Sequence, residues 1–141
     1  MMPKKAFSRV TVRRVLVKIE MAETQMERQV MKKSFNSPDR TMSGNNARVD
    51  MIRMGMRAVR RFTLQPGAHW SREAAPSEER EELRQRVHHV GIQLSGQTRI
   101  RTDYDEEVNL RAGDVVYTPT IKEIWTEGNE PSVFISTPMV E

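Results

Sequence analysis

At 141 residues the chain is long enough to bury one hydrophobic core and too short for two. Its residues are 37% hydrophobic and 30% charged, an ordinary soluble composition, and cysteine is absent, which excludes disulfides and thiolate chemistry. Nine Lys or Arg face only Glu20, Glu23 and Glu27 within residues 1–33, so the net charge of +4 belongs to the N-terminal segment; the mildly acidic remainder is not a nucleic-acid platform.

The first 32 residues read as a basic extension. Val10–Ile19 is β-branched and basic, and it reads either as a strand added to a sheet edge, here or in a partner subunit, or as part of an irregular arm. Its apolar residues form no clear helical stripe. Arg13, Arg14 and Lys18 interrupt the apolar core that a secretory signal needs. A basic presequence, or a start at Met21, Met26 or Met31, are the other readings of this segment.

Ser34–Asn46 is turn-rich, with Pro38-Asp39 and Gly44-Asn45-Asn46 as breakers. Short β-type runs follow. Arg48–Met54 and Met56–Leu64 come first, and Pro66-Gly67 ends the second. Residues 74–86 are strongly charged and read as a solvated loop or a helical turn. Val87–Leu94, Thr98–Thr102, Glu106–Leu110, Val115–Thr118, Glu123–Thr126 and Ser132–Ser136 complete the set. Strands this short, evenly spaced and punctuated by Gly and Pro, predict an antiparallel sandwich or barrel.

Several residue groups then occur in a telling order. They are Pro66-Gly67-x-x-Trp70-Ser71, His89-Val90-Gly91-x-x-Leu94-Ser95-Gly96, Ala112-Gly113-Asp114-Val115, Pro119, and Trp125-x-x-Gly128-Asn129-Glu130-Pro131. Lys33-Ser34-Phe35-x-Ser37-Pro38-Asp39 and Arg48-Val49-Asp50 precede them. Together they resemble the small single-domain cupins, the cupin 2 or RmlC-like jelly-roll superfamily. The resemblance covers about three quarters of the chain. It implies an all-β fold, an antiparallel double-stranded β-helix (jelly-roll, cupin barrel), over residues 33–141, with residues 1–32 as a basic N-terminal extension.

The resemblance also implies where chemistry would sit. Cupins usually hold a metal at the barrel mouth through three histidines and a glutamate. Here Glu73 and Ala75 occupy the first two histidine positions, His89 the glutamate position, and Ile124 the last histidine position. Lys122 stands where close relatives carry a displaced histidine, and a protonated lysine is no ligand. The metal-binding motif is therefore depleted. His89 and Glu73 remain as candidate ligands, for Mn, Fe, Ni, Cu or Zn. Glu123 and His69 are further candidates, although strand alternation turns Glu123, like His88, away from the barrel interior. The ligand pocket is expected from Glu73, His89, Lys122, Trp70 and Trp125, with a Glu73–Lys122 salt bridge in the space of a metal.

Three functions stay open. One is a small-molecule-binding cupin with its pocket in the barrel mouth. Another is a metal-dependent enzyme of dioxygenase or isomerase type. The third is a structural or regulatory module whose basic arm binds nucleic acid. The expected setting is cytoplasmic, without membrane association, and the expected assembly is a homodimer paired through sheet edges.

Overall fold

The computed structural model describes residues 9–75, 80 and 88–139. The chain divides into two compact units, one ending at Lys32 and the other beginning at Lys33.

The first unit corrects the sequence reading. Arg9–Arg28 is a helix, α1, not a strand or an irregular arm. Its second half, from Glu20 on, is rich in Glu, Met, Ala, Gln and Arg, which favour helix, and this outweighs the β-branched residues before it. Val12, Val15, Leu16 and Ile19 follow the i, i+3, i+4, i+7 spacing of one helix face. Every side chain from Arg9 to Met21 is exposed. No described helix is long and apolar enough to cross a membrane.

The second unit is built of ten antiparallel strands: β1 (Arg40–Gly44), β2 (Ala47–Met54), β3 (Arg57–Leu64), β4 (His69–Ser71), β5 (His89–Ser95), β6 (Gln97–Thr102), β7 (Glu107–Arg111), β8 (Val115–Thr118), β9 (Ile121–Glu127) and β10 (Ser132–Pro138). They form a six-stranded sheet, β1-β2-β3-β10-β5-β8, and a four-stranded sheet, β4-β9-β6-β7. All eight expected strands appear within two residues of their expected bounds. The one expected from Val87 begins at His89, and Val87 lies outside the described residues. The charged segment 74–86 is likewise largely outside them.

Period-two burial shows why these residues form strands. In β3, Ala58, Arg60, Phe62 and Leu64 are buried and their neighbours are not. Phe62, Leu64 and Phe134 of the larger sheet meet Ile100, Leu110, Ile121 and Ile124 of the smaller one in a single core. Gly96 turns β5 into β6 at φ +66°, and a Cβ there would sit 2.1 Å from the Pro131 carbonyl oxygen, so the hairpin admits only glycine.

The outer face of β2 is covered as well. Asp50 is fully buried there and accepts hydrogen bonds from Thr41 Oγ1 (2.8 Å), Arg48 Nε (3.0 Å) and Arg61 Nη2 (2.9 Å). Arg61 in turn stacks over the Phe35 ring at 4.7 Å. The segment entering the domain is thus tied to the sheet by a charge clamp.

Candidate functional site

The barrel mouth is assembled from β3, β5 and β10 of the larger sheet and from β4 and the start of β9 in the smaller one. His89 starts β5 and points inward, while His88 points out and stacks on Tyr117 at 4.7 Å, as alternation requires. Beside His89 stand Arg60 and Phe62 of β3, Trp70 of β4, Thr120, Ile121 and Ser136 of β10. They enclose a chamber of about 20 Å³, room for about one water molecule. Ser136 Oγ lies 3.5 Å from His89 Nδ1. Burial first, then the Arg60 charge and then His88, push the His89 pKa down to about 4, so the imidazole is neutral at pH 7.

The other expected pocket residues are dispersed. Trp70 does share the chamber with His89 and packs edge-to-face on Phe62 at 5.2 Å. Glu73 is exposed, because Arg72–Ala74 forms a turn of 3-10 helix rather than a strand. That turn is capped by Ser71, whose hydroxyl accepts from the Glu73 N–H at 3.2 Å. The inward place goes to Arg72, buried and doubly bonded to Asp103 at 2.7 and 2.9 Å. Lys122 sits where the β6–β9 register slips between Arg101 and Thr102. It reaches Asp105, at 4.0 Å, and makes no pair with Glu73.

Trp125 faces away from the mouth. In the β4–β9 register it pairs with His69, while Trp70 pairs with the buried Ile124, so the two tryptophans lie on opposite faces of the sheet. On that outer face Glu123 accepts from Arg101 Nη1 at 2.6 Å and lies 3.4 Å from His69 Nε2. Arg101 covers the Trp125 ring at 5.5 Å. These residues line a shallow groove of about 390 Å³ outside the barrel.

Arg60, Thr120 and Ser136 were missed in the sequence. For Arg60 the signal was present: it alternates with Phe62 and Leu64, so period two places it inside. Thr120 and Ser136 carry no motif.

A divalent metal does not fit the residues described at His89. No group of three or more His, Asp or Glu among the described residues is placed to hold one. The imidazole's close neighbours are a hydroxyl and a guanidinium whose positive charge it already feels.

No protein-family model matches the sequence, and no curated protein matches it. Solved structures do. A cupin 2 conserved barrel domain protein from Salinispora arenicola superposes with a TM-score of 0.53 at 15% identity, covering 79% of this chain and 91% of that one. The domain folds as a cupin. The Cupin_2 domain of an XRE family transcriptional regulator from Enterobacter cloacae gives 0.53 at 16% identity, covering 68% of this chain and 98% of that one. Oxalate decarboxylase from Bacillus subtilis gives 0.50 at 21%, over 71% of this chain. This chain spans 27% of that enzyme's length. At such identities the likeness concerns the fold, which hosts many chemistries.

Proposed function

We propose that this cupin is a small-molecule-binding protein whose ligand enters the barrel mouth and is held there by hydrogen bonds rather than by a metal. The observation that supports it is the chamber itself: a buried, neutral His89 beside Ser136, Thr120 and Arg60, with Trp70 and Phe62 as apolar walls. Such a lining offers N–H and O–H donors to an oxygen acceptor, a carboxylate or carbonyl, within an apolar surround. The fold is shared with an enzyme acting on a dicarboxylate, oxalate decarboxylase, and with a domain of a transcriptional regulator.

The test is a titration of the protein with sodium acetate, followed by NMR. Saturable shifts at the His89 ring and the Trp70 indole, absent in His89→Ala, are the expected result. A stoichiometric transition metal in the purified protein, lost in His89→Ala, would instead establish the metal-dependent reading.

A second reading concerns α1, whose Arg9, Arg13, Arg14 and Lys18 are all exposed. They give the extension the charge to contact nucleic acid. DNA binding that weakens steeply with salt and vanishes on deleting residues 1–32 would support this reading.

The homodimer remains part of the proposal on a different footing, since Val10–Ile19 is helical. On the outer face of the larger sheet, the outward residues of β5 and β8 are Val90, Ile92, Leu94, Val115 and Tyr117, with no charge among them. β8 is also the terminal strand of that sheet, an edge that a second copy can extend. Light scattering at micromolar concentration should give a dimer mass, and Val115→Glu a monomer. A monomeric wild type would overturn it.

A further inference from the structure

A second cavity, of about 370 Å³, opens between the β1–β2 hairpin and the β4 segment with its 3-10 turn. Met42, Ala47, Val49, Trp70, Ala74 and Ala75 line it with apolar surface, and Ser43, Asn45, His69 and Ser71 add polar groups. None of the described lining residues carries a carboxylate, ammonium or guanidinium group. Ala47, Val49 and Ala75 are buried, so the cavity reaches the core rather than skimming the surface. Its volume lies in the range of small-molecule sites, which the chamber at His89 does not reach.

Trp70 lines both spaces. This residue therefore borders both a largely apolar cavity and a small chamber of hydrogen-bond donors. We propose that the two are one binding site for a small amphipathic acid, with the apolar body in the lateral cavity and the oxygen-bearing head reaching His89 past Trp70. The inference rests on the mouth reading above and names its ligand class. It explains how a chamber of one water's volume can serve as a site, since it receives only the head group. It also gives Trp70 a role as the partition that a ligand must displace from its edge-to-face contact with Phe62.

Octanoate is the probe for the whole site and acetate the probe for the head alone. In the Trp125→Phe protein, Trp70 is the remaining tryptophan of two, so its emission reports the partition. Octanoate should shift that emission saturably and bind at least tenfold more tightly than acetate binds by NMR. Ala74→Phe and Ser43→Leu narrow the lateral cavity at two exposed positions on different elements. Each should weaken octanoate by tenfold or more and leave acetate unchanged, and His89→Ala should weaken both. Octanoate no tighter than acetate would overturn the inference and leave the mouth reading standing. Octanoate binding that survives His89→Ala, with acetate still lost, would also overturn it, because the head would then lie elsewhere. Loss of neither probe in His89→Ala would overturn the mouth reading itself.

Discussion

The imidazole at position 89 is buried at the mouth, and that burial has a thermodynamic signature. Folding lowers its pKa from 6.5 to about 4, so between these values the unfolded chain takes up a proton that the folded one refuses. The contribution is complete above pH 6.5, shrinks as pH falls, and is gone near pH 4. It amounts to about 3 kcal/mol over that span. Denaturant unfolding of the wild type from pH 7 to pH 4 should show this loss, and His89→Gln, which cannot titrate, should show a flatter profile in that window. Parallel profiles would mean that the ring is hydrated. Packing at the neighbouring inward position is equally definite. A Cβ on Gly91 would meet Phe134 at 2.2 Å, and Phe134 is fully buried. Gly91→Ala should therefore destabilise by about 1–3 kcal/mol through overpacking, measured as a fall in the urea midpoint.

Among the elements, the clamp on β2 makes the clearest prediction. Burial alone would push the Asp50 carboxyl up, but hydrogen bonds from Arg61, Thr41 and Arg48 hold it below the usual carboxylate value. Its stabilisation is present above the ordinary carboxylate pKa and is lost as pH falls through the lowered one. Asp50→Ala should cost about 1–3 kcal/mol at pH 7, with a smaller deficit in strong acid; an equal stability would show the clamp to be idle. Elements also show what could be read in advance. The strands β3, β6 and β10 carry their alternation openly, because each has one face on the core. β1 was not visible: Arg40–Gly44 is polar and turn-rich, and its pairing with β2 depends on the Asp50 clamp and the Asn45-Asn46 turn. α1 departs from the expectation because the β-branched run Val10–Ile19, which by itself favours a strand, is continued by helix-favouring residues. Glu73 and Lys122 left the expected mouth for local reasons, a 3-10 turn and a register slip, which motif spacing on ideal strands cannot register. His89 and Trp70 lie on regular strands, where spacing carries position, and both line the same chamber.

For the molecule as a whole, the cupin fold supplies two sheets around one core and places at its mouth a set of donors in an apolar surround. The smaller sheet presents a charged outer face of Arg99, Arg101, Glu107 and Glu123, with ion pairs at 2.6–2.9 Å. These pairs are partly exposed and contribute little to stability, so the outer groove is not what the fold is organised around. The claim that the mouth recognises a small oxygen acceptor through His89 is tested most directly by titrating the His89 ring with pH by NMR, with and without methanesulfonate, an anion that does not itself titrate. The predicted result is a free-state midpoint near 4 that rises when the anion is present, because an anion beside the ring favours its protonated form. A midpoint near the ordinary 6.5 that the anion does not move would contradict the account.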